Sequence, residues 1–190
     1  MLHNYKRKTI MEIKISTKQI LKLLYVLSWI IFIGVCTEAG GIIVNAIISL
    51  YRNPDSASYI NLSDLYKHDV GNFLVESLLM SIVAVMRACL FYLIVKLLHD
   101  KKLNLSNPFN QETGRFIFRM SYLALGIGMF SFWGVKYTVW LVSQGIKMPD
   151  IQILRLGGAD VWLFMGVTLY VIAQIFKRGI EIQEENEFTV

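Results

Sequence analysis

Arg87 stands near the middle of the run Phe73–Leu98, FLVESLLMSIVAVMRACLFYLIVKLL, which is apolar on all faces and long enough to cross a bilayer. A guanidinium left bare in hydrocarbon costs ~2.5–3.5 kcal/mol on insertion scales. Arg87 must therefore face other protein, a wet cavity or an anionic group. An earlier apolar block holds two candidate companions, Glu38 and Asn45. A rise of ~1.5 Å per residue places Arg87 ~16 Å and Glu38 ~24 Å from the ends of their blocks on one common side, a gap that an arginine side chain can narrow. The expectation is a Glu38–Arg87 pair, direct or through Asn45 or water. Arg87→Leu, with Glu38 left in place, is then expected to cripple folding or activity. Such a pair either fixes which helices are neighbours or marks a pathway. Glu76, Lys136 and Asp160 fall near the opposite boundary, as ordinary interfacial residues or as a second polar cluster beneath the loops.

These residues do not add up to a reaction centre. The sequence has no His-Glu-x-x-His and no Gly-x-Ser-x-Gly, and His3, His68 and His99 are scattered among termini and loops. Gly157-Gly-Ala-Asp160 departs from the Gly-x-Gly-Asp pattern of intramembrane aspartyl proteases, and no second span supplies a paired aspartate. Without a nucleophile and base to name, no enzyme is expected. Cys36 and Cys89 each sit in an apolar block with no C-x-x-C spacing, which suggests neither a metal site nor a disulfide framework. Ile33-Gly-Val-Cys36 has the outline of a lipoprotein cleavage box, but Val35 is too large for the position before the cysteine. No cofactor is implied.

The elements that must position the charges follow from composition. Of the 190 residues, 55% are hydrophobic, and they gather in four blocks. Spans are expected at about 20–51, 73–98, 116–142 and 159–176, since a span needs ~20 mostly apolar residues. The fold class is all-α, an integral membrane four-helix bundle. Lys+Arg exceeds Asp+Glu by 19 to 14. Lys6, Arg7, Lys8, Lys14 and Lys18 precede the first span; Lys96, Lys101, Lys102, Arg115 and Arg119 flank the loop between the second and third; Lys177 and Arg178 follow the fourth. By the positive-inside rule all three places are cytoplasmic. Both termini of a multi-pass membrane protein then lie in the cytoplasm. No soluble stretch is long enough to form a nucleic-acid-binding face, so membrane lipids are the first partners. Residues 1–19 read as a basic anchor and 177–190 as an acidic tail, helical at first.

Small residues mark helix contacts: Thr37-x-x-x-Gly41, Ser77-x-x-x-Ser81, Ala84-x-x-x-Ala88 and Ala124-x-x-x-Gly128. Residues 52–71 form one outer loop, read as a solvated connector or a lid, in which Leu62, Leu65 and Tyr66 have the spacing of a short interfacial helix. Trp133, Tyr137 and Trp140 read as an interfacial aromatic belt. A second outer loop covers 143–158. Asp160 at the start of the fourth span suits the positive end of the helix dipole. Asn107-Pro-Phe109 before Gln111-Glu112 reads as a helix start, with Asn107 as N-cap and Pro108 in the first turn.

Glu38-Ala-Gly-Gly41, the loop Asn107-Pro-Phe109 and the ending Arg178-Gly-Ile-Glu-Ile-Gln-Glu-Glu-Asn-Glu-Phe-Thr-Val190 together resemble the YoaS-like group, bacterial four-span membrane proteins catalogued as a domain of unknown function. The resemblance runs from Met11 on; Phe188 replaces the group's usual leucine, and residues 1–10 form an extra extension. It implies a place in the bacterial inner membrane and a small helix-turn-helix regulator encoded nearby, and carries no catalytic residues. The favoured reading is a membrane sensor or regulatory partner of such a regulator. Phe109, with Asn107 and Pro108, and the tail acids Glu181, Glu184, Glu185 and Glu187 would dock it. The alternative is a small ion-coupled carrier, for which four spans make a thin wall and a homodimer would be needed.

Overall fold

The computed structural model describes residues 17–100 and 109–187, with side chains from 19 onward and up to 185. Five α-helices follow one another: α1 (Thr17–Tyr51), α2 (Ser63–His68), α3 (Val70–His99), α4 (Gln111–Ser143) and α5 (Ala159–Glu187), with a 3-10 helix over Pro54–Ile60. No strand occurs among the described residues. Among the described residues, four helices are long and apolar enough to cross a membrane: Gln19–Tyr51, Val70–His99, Gln111–Ser143 and Ala159–Glu185. The chain is thus a multi-pass membrane protein. All four exceed the ~20 residues a span requires, so they tilt or project beyond the hydrocarbon.

The spans alternate in direction. The Tyr25 hydroxyl near the start of α1 is 2.9 Å from Nδ1 of His99 at the end of α3, and Gln111 at the start of α4 donates to Glu184 late in α5 at 3.3 Å. One end of the protein therefore carries both described chain ends (the terminal face). The other carries the 3-10 helix, α2 and residues 144–158 (the loop face).

The helices pack in sequence order, α1 on α3, α3 on α4 and α4 on α5, with no close backbone approach of α1 to α4 or α5. The expected four-helix bundle is an open row. Lipid provides no hydrophobic drive to close it; close packing and interhelical hydrogen bonds decide which helices meet. Close packing concentrates between α4 and α5. A Cβ on Gly128 would lie 2.9 Å from the backbone nitrogen of Leu163, and one on Gly166 would lie 2.8 Å from that of Leu125. Ser121 Oγ donates to the Gly166 carbonyl at 3.0 Å, and Ala124 and Ala173 are fully buried. The Ala124/Gly128 pair is thus a helix seam. Thr37 and Gly41 are not: Thr37 is exposed and nothing lies within 4 Å of a Cβ built on Gly41.

The loop face is a folded cap, not a solvated connector. Asn53 accepts from the Asp55 amide at 3.0 Å and opens the 3-10 helix at Pro54. Asn61 ends it in a left-handed conformation, φ 59°. Leu62 and Leu65 bury their side chains, as their spacing predicts for a short helix. Asp69 then caps α3, accepting from the Asn72 amide at 2.6 Å. Ala57, Ile60, Leu62, Leu65 and Phe73 pack into one apolar core with residues of the second loop, Ile146, Leu154 and Leu156. The two loops are therefore one structural unit seated on the ends of the spans.

Candidate functional site

Beneath that cap is a cleft of ≈ 560 Å³. Glu38, Gly41 and Asn45 of α1 form one wall, Tyr59 and Asn61 a second, Gln152 and Arg155 a third, with Met80 of α3 between them. The spacing of Glu38, Gly41 and Asn45, three and four residues apart, puts them on one helix face. Gly41 leaves that face open, and the Asn45 side-chain amide is held by donating to the Gly41 carbonyl at 2.8 Å.

Arg155 reaches α1 from the segment before α5. Its Nε is 3.1 Å from Oε1 of Glu38, with the two side chains 61% and 36% exposed. Its backbone is left-handed, φ 60°, a conformation that costs a non-glycine residue about 1–2 kcal/mol. The segment is fixed on both sides of it, because Leu154 and Leu156 are fully buried. Among the described residues, Asn61 and Arg155 are the non-glycine positions with positive φ, and both line this cleft. Backbone held in a sparsely populated conformation concentrates at ligand clamps and active sites.

The expected Glu38–Arg87 pair is replaced. Glu38 takes Arg155, and Arg87 turns its guanidinium to Trp162 of α5, with Cζ 5.7 Å from the ring centroid. Arg87 Nε is buried without a hydrogen-bond partner, although the charges of both Glu38 and Arg155 act on it through space. The reason is depth. Glu38 is 13 residues from the end of α1 and Arg87 17 from the start of α3, so measured from the loop face the carboxylate is ~20 Å down and the guanidinium ~26 Å. A cation entering from the loop face meets Glu38 first. Neither Arg155 nor Trp162 is expected from the sequence as a partner of these charges; the usable signal is a lone arginine between Ile153-Leu154 and Leu156, an apolar setting for a loop charge.

Glu76, Lys136 and Asp160 do not form a cluster. Glu76 is fully buried between α3 and α4, where Thr138 Oγ1 donates to its Oε1 at 2.7 Å and Oε2 has no partner. Beside it the Tyr137 hydroxyl donates to Asn72 Oδ1 at 2.7 Å, so this aromatic is a helix tie as well as a belt residue. Lys136 is exposed, with Nζ 5.5 Å from the Phe132 ring centroid. Asp160 is exposed in the first turn of α5, where the dipole favours it.

Of the docking candidates, Asn107 and Pro108 lie outside the described residues. The N-cap of α4 is Asn110, not Asn107: its side chain accepts from the Thr113 amide at 2.8 Å. Phe109 is partly exposed and packs on α5, its ring 5.1 Å from that of Phe176 and against Gly179, where a Cβ would meet it at 2.7 Å. Glu181 and Glu185 both approach Arg178, at 3.1 and 4.0 Å, and Glu184 takes the Gln111 amide. Glu187 is the last residue of α5, and its side chain lies outside the described set. No three His, Cys, Asp or Glu side chains among the described residues are grouped to hold a metal.

A family described as "Protein of unknown function (DUF2975)" matches residues 59–190. The chain belongs to this DUF2975 family. The matched part holds α3, α4, α5 and, at the cleft, Asn61 and Arg155; α1 with Glu38 and Asn45 precedes it. No curated protein and no solved structure matches the chain.

Proposed function

We propose that this DUF2975 protein is a membrane sensor whose loop-face cleft takes a small polar ligand. The carrying observation is the Glu38–Arg155 ion pair in a cleft that both loops help to build. A ligand bearing an anionic or cationic group competes for one half of that pair. Releasing either half uncouples α1 from the segment leading into α5, so one binding event acts on the two outermost helices of the row. Each helix runs without a break to the terminal face. Positive charge around the terminal face supports a cytoplasmic orientation for it.

The resemblance to the YoaS-like group extends the reading to a helix-turn-helix regulator as the cytoplasmic partner. Glu184 and Glu185 are exposed on the last turns of α5, a surface suited to a basic protein. The test is recovery of the full-length protein from its own membranes, wild type against Glu38→Gln and Arg155→Gln. A helix-turn-helix protein that copurifies, in an amount changed by either substitution and lost when residues 179–190 are removed, supports the reading. Absence of such a partner, or indifference to all three changes, overturns it.

A carrier is the second reading, favoured by the polar atoms without partners that lie within spans, Glu76 Oε2 and Arg87 Nε. Flux in proteoliposomes that falls with Glu76→Gln would support it.

A further inference from the structure

At the terminal face a groove of ≈ 240 Å³ runs between the end of α3 and the start of α4. Its cations are Lys96, Arg115 and Arg119. All three residues are exposed, and none makes an ion pair among the described residues. Arg115 is oriented by donating to the Gln111 side-chain carbonyl at 3.0 Å. The groove floor is apolar: Leu93, Leu97 and Phe116. Asp100 and Glu112 complete the rim, and each has a partner of its own.

The three features coincide at one level of the molecule. The cations mark the border where two apolar spans give way to polar residues, and the apolar floor continues into those spans. A soluble anion would use the cations and leave the floor wet. A phospholipid uses both: its phosphate meets the cations and its acyl chains follow the floor down between α3 and α4. Basic pockets between spans at the headgroup level bind anionic lipid in this manner.

We propose that the α3–α4 groove is a binding site for an anionic phospholipid, its phosphate held by Lys96, Arg115 and Arg119. The site is remote from the loop-face cleft and does not depend on the sensor reading.

The test uses the full-length protein in detergent with phosphatidylglycerol and phosphatidylcholine supplied at equal concentration, read by native mass spectrometry of retained lipid and by the shift in Tm. Wild type should retain phosphatidylglycerol in preference to phosphatidylcholine and gain Tm with it. Each cation near an anionic group contributes about fivefold in affinity, so Lys96→Gln/Arg115→Gln/Arg119→Gln should weaken retention on the order of 100-fold. Should the triple variant fail to fold, the single changes Lys96→Gln and Arg119→Gln each predict about a fivefold loss. Retention must also weaken as ionic strength rises. The assignment is overturned if the variants keep the wild-type preference, if phosphatidylcholine is held equally well, or if retention ignores salt. It is overturned too if inorganic phosphate at equal concentration displaces the lipid, which would make the groove a free-anion site.

Discussion

Arg155 Nε lies 3.1 Å from Glu38 Oε1, so the segment leading into the last span is tied to the first span although those two helices do not otherwise pack. Both side chains retain solvent exposure, which keeps the stabilisation of the pair at about 0–1 kcal/mol. Glu38→Gln and Arg155→Gln should therefore each lower stability by no more than about 1 kcal/mol, and the double variant should cost less than the sum. Reversible unfolding in mixed micelles, run as a double-mutant cycle, measures this. Strict additivity would show that the pair is not formed in solution.

Arg87 gives the opposite sign from the one its position in the sequence suggests. Judged by position alone, Arg87→Leu strands Glu38, but Glu38 has Arg155. What the substitution removes is a guanidinium with a bare Nε, subject to the opposed charges of Glu38 and Arg155, in exchange for the loss of one contact with Trp162. A cation–π contact contributes about 0.5–2 kcal/mol, against the ~2.5–3.5 kcal/mol cost of an arginine in a span. Arg87→Leu should leave the unfolding midpoint unchanged or raise it. A fall beyond 2 kcal/mol would mean that Arg87 has a stronger partner.

Such reversals show where the sequence was legible. Spans are written in long apolar runs, and the short helix at Leu62 and Leu65 in its spacing, because both patterns are local. Ala124/Gly128 was legible as a seam because small residues leave room that a neighbour fills. Gly41 carries the same signature with no helix against it, since a small residue states that approach is possible and not what approaches. The Glu38 partner was illegible for a related reason. Charge and depth restrict a partner to a region, and two arginines met that restriction. Which one arrives depends on the cap, whose core joins residues from Ala57 to Leu156.

Glu76 and Thr138 supply a test of buried polar satisfaction. Thr138 Oγ1 is within reach of Glu76 Oε1 at 2.7 Å and of the Gly134 carbonyl at 2.9 Å, so one hydroxyl proton serves two acceptors. Thr138→Val keeps the shape and removes the donor. With both oxygens of a fully buried carboxyl then unpartnered, the cost should be about 1–3 kcal/mol. Adding Glu76→Leu to Thr138→Val should restore most of that loss, because no buried carboxyl is left to satisfy. Denaturant unfolding of the three proteins decides it, and an unrescued double variant would refute the account.

The glycines separate packing from flexibility. Gly166 faces the backbone nitrogen of Leu125 at 2.8 Å from where a Cβ would sit, and backbone cannot swing aside as a side chain can. Gly166→Ala must push α4 and α5 apart, at about 1–3 kcal/mol for an overpacked contact. Gly41→Ala places the same methyl where nothing lies within 4 Å, and should stabilise α1 by roughly 0.5–1 kcal/mol through its helix propensity. That methyl also projects from the cleft wall between Glu38 and Asn45. Gly41→Ala is thus expected to hold or raise Tm while weakening whatever response the cleft governs, whereas Gly166→Ala should lower Tm first. Measuring Tm and copurification of the proposed helix-turn-helix partner side by side distinguishes the two, and a Gly41→Ala protein that unfolds early would place an unrecognised neighbour against α1.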